Sequence, residues 1–166
     1  MQQTLELLPR VASIESTKEA FWDRLRAGGE EDCPCCGRFS KMYRRRFNSG
    51  TAAQLIKLYR LGGAHDYIHA SDLILRGVTG TGDLTKAKYW GLIIPMPSST
   101  PDKKASGCWK LTEKGIGFVR GFIQISESVL IFDDRIYGSS DKTINIQEAL
   151  KTKFSYAKLM SWEPGE

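Results

Sequence analysis

Histidine is scarce in this 166-residue chain, which has only two, and extended apolar runs are missing. Stretches such as residues 91–96 fall far short of the roughly 20 apolar residues that span a bilayer, so the sequence predicts no transmembrane helix. The opening Met1-Gln2-Gln3-Thr4-Leu5-Glu6 has neither a basic n-region nor a continuous apolar h-region. That excludes a conventional secretory signal and leads us to expect a cytoplasmic protein. Four cysteines are too few for a disulfide-rich miniprotein, and 41% hydrophobic residues are too many for disorder. Internal repeats and low-complexity segments are absent.

Catalytic signatures are also missing. The chain has no His-Glu-x-x-His, no Gly-x-Ser-x-Gly and no carboxylate pair at useful spacing. Thr79-Gly80-Thr81-Gly82 lacks the Gly-Lys-Ser/Thr ending of a phosphate-cradling loop, and a hairpin turn accounts for Asp133-Asp134. The expectation is a non-enzymatic protein.

What the chain does have is basic charge in one place. The formal net charge is +5, but residues 1–32 carry −3, residues 33–114 carry +9 and residues 115–166 carry −1. A modest total therefore conceals a cationic middle, the footprint expected for a partner bearing phosphates or carboxylates.

Apolar spacing and caps give the element order. A capping-box pattern at Ser16-Thr17-Lys18-Glu19 predicts a helix over 16–27, stopped by Gly28-Gly29. Phe39 to Phe47, including Arg44, Arg45 and Arg46, reads as a strand or extended arm. Ala52, Leu55, Ile56 and Tyr59 recur at helical spacing and predict a helix over 49–61. A short helix over 70–76 and another over 83–90 follow. Residues 92–96 and 108–111 then read as a hairpin around a polar loop, and Thr112 caps a helix to about Arg120, which Gly115 and Gly117 should weaken. A second hairpin turning at Asp133-Asp134, a capping box at Asn145 and a helix capped by Ser155 complete the chain.

The segment Asp83-Leu84-Thr85-Lys86-Ala87-Lys88-Tyr89-Trp90-Gly91-Leu92-Ile93, with Trp109-Lys110-Leu111-Thr112-Glu113-Lys114-Gly115, resembles winged helix-turn-helix proteins of the MarR and PadR kind. The likeness spans 49–122. More loosely, the whole chain is similar to phage and prophage proteins that join a Cys pair, a basic arm and such a domain. The resemblance implies an α+β fold: a winged-helix core over 48–122, an N-terminal helix segment over 1–32, a Cys knuckle and basic arm over 33–47, and a C-terminal hairpin and short-helix extension over 123–166. It also implies a small DNA-binding regulator of phage or mobile-element type, acting as a homodimer on double-stranded DNA. Leu84, Ala87 and Trp90 would face the core, leaving Thr85, Lys86, Lys88 and Tyr89 for a DNA groove. Lys103 and Lys104 at the wing tip, with Arg44, Arg45 and Arg46, would meet phosphates. The alternative is a phage-type module that binds and inhibits a host protein, possibly a defence component, suggested by Tyr137, Tyr156 and Trp162 in the extension.

Cys33-Pro34-Cys35-Cys36-Gly37 carries the Cys-x-x-Cys-Gly spacing of a zinc knuckle. Cys33 and Cys36 are the principal candidate ligands, and Cys33 with Cys35 is the less common pairing. His65 and His69, four apart, would complete a structural Cys2His2 zinc site if their segment is helical. The bland reading is reduced, partly buried thiols beside a surface histidine.

Overall fold

The computed structural model describes residues 13–74, 82–97 and 106–163. The chain mixes helices with short strands and divides into two compact units, residues 1–43 and 44–166. Contacts within the chain part it once, between Tyr43 and Arg44.

In the first unit, helix α1 (Ile14–Arg26) starts two residues before the expected Ser16, because Ser13 Oγ already accepts the amide of Ser16. It buries Phe21 and Leu25. Strands β1 (Glu30–Asp32) and β2 (Phe39–Lys41) form an antiparallel hairpin with the cysteine turn at its tip. Ion pairs Arg24–Glu31 and Lys41–Glu30 brace it.

The basic segment is strand β3 (Tyr43–Arg46), with every residue exposed. Helix α2 (Ser49–Arg60) follows, capped by Asn48. Its buried set runs from Gly50 through Ile56 and includes Leu58, so almost its whole circumference is covered. Strand β4 (Ile68–His69) and a 3-10 turn (Ala70–Leu73) come next. The helix expected over 70–76 is thus a single 3-10 turn among the described residues, Arg76 lying outside them.

The helix expected over 83–90 divides into α3 (Gly82–Thr85) and a 3-10 turn (Lys86–Trp90), stopped by left-handed Gly91. Strands β5 (Ile93–Pro95) and β6 (Cys108–Leu111) form the expected hairpin, and β4 adds antiparallel to β6, giving the order β4-β6-β5.

Helix α4 (Glu113–Val119) is capped by Thr112 as its sequence indicates. Strands β7 (Ile125–Ser126), β8 (Ser128–Phe132), β9 (Arg135–Ser139) and β10 (Thr143–Ile144) form two more sheets, ordered β3-β8-β9 and β10-β7. Asp133 and Asp134 both have positive φ, 47° and 60°, in the two-residue turn between β8 and β9. Helices α5 (Ile146–Leu150), with a complete capping box, and α6 (Tyr156–Ser161) close the chain.

Residues 123–163 belong to the same core as α2 rather than hanging from it. Ile125, Val129, Ile131, Ile144, Ile146 and Leu150 are buried in one cluster with Leu55, Trp90 and Phe118. Phe47 links the halves through edge contacts with Trp90 (5.0 Å) and Phe118 (5.4 Å), and Trp90 Nε1 donates to the Ser126 carbonyl at 2.7 Å.

Gly115 corrects the expectation that glycines in α4 are merely weakening. A Cβ there would sit 2.1 Å from the Leu92 carbonyl oxygen, so only glycine lets α4 approach the start of β5. At Gly117 a Cβ would meet only Ile123 side-chain atoms at 3.6–3.7 Å. Gly115→Ala should therefore destabilise the protein by about 1–3 kcal/mol, as overpacking does. Gly117→Ala should stabilise it by up to about 1 kcal/mol through helix propensity. Denaturant unfolding of the two variants checks the opposite signs.

Candidate functional site

The segment 82–90 sorts its residues as its spacing predicts. Leu84, Ala87 and Trp90 are buried, Lys88 is exposed, and Thr85, Lys86 and Tyr89 are half-buried. Thr51 Oγ1 of α2 donates to the Asp83 carbonyl at 3.1 Å, fixing the start of this segment on the central helix.

Both lysines carry carboxylate partners within the chain. Lys86 Nζ lies 2.8 Å from Asp83 Oδ1, one helical turn away. Lys88 Nζ reaches both oxygens of Asp134, at 3.0 and 2.8 Å, and the Tyr89 hydroxyl donates to the same carboxylate. Asp134 thus does more than turn a hairpin: from 46 residues away it neutralises one of the cations that the sequence offers to a partner. Nothing in the local pattern of either segment announces that pairing.

Tyr89 titrates above the ordinary tyrosine value, first because burial penalises the phenolate and then because the phenol donates to Asp134; the charges of Lys88 and Arg45 oppose the shift. Strand β3 pairs with β8, whose turn into β9 carries the Asp134 that bonds Lys88 and Tyr89. Of the other arginines, Arg44 Nη1 lies 3.4 Å from the buried Ser128 hydroxyl. The charge of Arg46 adds to the hydrogen bond from Lys142 that chiefly holds Glu127 below the usual carboxylate range. Lys103 and Lys104 lie outside the described residues, as do Thr79, Gly80 and Thr81.

The cysteine turn has the local form its spacing suggests. The Gly37 amide donates to the Cys33 carbonyl and the Cys33 amide to the Arg38 carbonyl, each at 2.8 Å, while Gly37 takes a left-handed φ of 68°. The amides of Cys35 and Cys36 donate to the Cys33 sulfur, and these bonds hold its thiol below the ordinary cysteine value. Cys35 and Cys36 are exposed, and Cys33 is half-buried.

The histidines do not share a helix face. His65 lies in a turn and His69 in strand β4, so the helical spacing that would align their rings does not hold. His69 Nδ1 accepts the Ser71 amide at 3.2 Å and lies 2.7 Å from the Ser71 hydroxyl, capping the 3-10 turn. A nitrogen occupied by an amide proton is not available to a metal. Cys108, in β6, is paired opposite His69 in the sheet. Among the described residues no group of three or more His, Cys, Asp or Glu side chains is arranged to hold a metal ion.

The aromatics of the C-terminal region divide. The Tyr156 hydroxyl donates to the Val119 carbonyl at 2.9 Å, and Trp162 lies under Lys57 at 5.1 Å with its carbonyl accepting from Arg60. Both therefore tie the C-terminal segment to the body of the unit. Tyr137, beside the half-exposed Ile136, stays at the surface and packs edge-on to Phe132.

Among the described residues no helix is long and apolar enough to cross a membrane. No family model, curated protein or solved structure matches this chain.

Asp134→Gly removes the carboxylate while keeping an Asp-Gly pair, the preferred occupant of a turn with two positive φ values. Exposed ion pairs contribute about 0–1 kcal/mol, so stability should hardly change. The Tyr89 pKa should fall, because both effects of Asp134 raise it. Phenol titration followed by NMR, with Tyr89→Phe for assignment, checks this; an unmoved titration would show that Asp134 does not engage Tyr89.

Proposed function

We propose that this chain is a non-enzymatic, double-stranded-DNA-binding protein of winged-helix type, a small regulator as its family resemblance implies. The order α2, β4, 3-10 turn, α3 with its 3-10 continuation, β5 and β6, with β4 joining β6 in a three-stranded sheet, supports that reading. The observation that carries it is the linkage of two basic elements: the exposed strand β3 pairs with β8, and Asp134 in the turn that follows β8 bonds Lys88 and Tyr89, in the segment whose opposite face is anchored by Ala87 and Trp90.

The segment 82–90 contains no Arg, Asn or Gln, the side chains that make bidentate contacts to base edges. Phosphate contacts therefore dominate, and sequence preference is weak. DNA must also displace Asp134 from Lys88 and Asp83 from Lys86, since phosphates and these carboxylates compete for the same ammonium groups. The exposed Ile136 and Tyr137 on β9 favour the second reading, a surface for a host protein. With Tyr156 and Trp162 engaged internally, that reading keeps one of its three aromatics.

Fluorescence anisotropy with a mixed-sequence duplex across a salt series tests the proposal. With about six phosphates neutralised, the logarithm of the association constant should fall with log salt at a slope near −5. Lys86→Ala with Lys88→Ala should weaken binding and flatten the slope by about 2. Asp134→Gly should tighten it several-fold by releasing Lys88. No binding at low salt, or binding indifferent to these changes, would contradict the reading.

A further inference from the structure

We propose that the Cys33/Cys36 turn is one half of a tetrahedral zinc site, and that a second copy of this chain supplies the other half through the same two cysteines.

The turn is built to present sulfur. Pairing of β1 with β2 closes a hairpin whose tip is Cys33 to Gly37. The two internal hydrogen bonds between Cys33, Gly37 and Arg38, the left-handed Gly37 and the Ser40 hydroxyl donating to the Arg38 carbonyl hold its backbone. The tip sets Cys33, half-buried, and Cys36, exposed, three residues apart across one tight turn. Such a Cys-x-x-Cys turn suits a thiophilic divalent cation that takes ligands as thiolates at about 2.3 Å and releases their protons on binding.

A closed zinc site takes four ligands, and one such turn contributes two. Among the described residues no third His, Cys, Asp or Glu side chain is arranged with this pair to hold a metal ion. His69 caps the 3-10 turn through Nδ1, and Cys108 is half-buried in β6 opposite it. A two-fold axis through the metal would bring an identical pair of sulfurs to the vacant corners, because an isologous contact sets each residue against the same patch of its partner. The surface beside the turn fits such a contact. An apolar hollow of about 250 Å³, lined by Ile14, Phe21, Trp22 and Pro34, opens next to Cys33, and Ile14 is 73% exposed at its edge. This inference does not rest on the DNA-binding reading.

The full-length chain, purified under reducing conditions and stripped of metal, is titrated with zinc and followed by native mass spectrometry, with cobalt(II) as a spectroscopic substitute. The expected result is one metal per two chains, a dimer that chelator returns to monomer, and the cobalt absorption of a four-sulfur tetrahedral site. Cys33→Ser and Cys36→Ser each should abolish metal binding and dimerisation, while Cys35→Ser should leave both intact. One metal per monomer, a requirement for Cys35, or binding that survives loss of Cys33 and Cys36 would overturn the proposal. Failure of the wild-type chain to bind zinc or cobalt would overturn it too. Circular dichroism of the serine variants distinguishes loss of ligand from loss of fold.

Discussion

Burial of α2 on nearly all sides is the constraint on which the larger unit depends. Ala52, Ala53, Leu55, Ile56 and Leu58 are fully inaccessible, and α3, α4, α5, α6 and β6 all pack against this helix. Truncating one such leucine or isoleucine to alanine costs about 2–5 kcal/mol, a large part of the stability of a domain this size. Everything at the candidate site is referred to that helix. The bond from Thr51 to Asp83 fixes the start of α3, and Leu84, Ala87 and Trp90 are drawn into the cluster around it. Once those three are buried, Lys86 and Lys88 have only the outer face left.

The same burial explains why residues 123–163 are part of the fold. A helix covered on one side only would leave Leu58 or Ile56 wet, and α5, α6 and the strands after α4 supply the missing cover. The close approach at Gly115 belongs to this logic, since α4 can reach both α2 and the Leu92 carbonyl only without a side chain there.

Much of the local structure was legible from residue type alone. The caps at Thr112, Asn145 and Ser155, the helical spacing of α2 and the two-aspartate turn all report short-range physics, in which the partner lies within four residues. What could not be read was long-range. The pairing of Lys88 with Asp134, the two-residue strand β4 joining β6, and the contact that demands Gly115 each join segments 20 to 46 positions apart. The helical spacing of His65 and His69 is likewise a local reading that does not apply, because residues 65–69 run from a turn into strand β4. The basic stripe was visible as composition, but its partial neutralisation by Asp83 and Asp134 was not.

That neutralisation sharpens what the charge of residues 33–114 means. On the proposed reading, DNA would meet exposed arginines on β3 and lysines held by carboxylates that it must replace. The central claim is that β3 and residues 85–89 form one continuous face for DNA. Backbone amide shifts of the isotope-labelled chain, recorded while a duplex is titrated in at low salt, test it most directly. The account predicts perturbations concentrated at Arg44, Arg45, Arg46 and residues 85–89, spreading to Asp134. Perturbations confined to Ile136, Tyr137 and their neighbours on β9, or none at all, would contradict it.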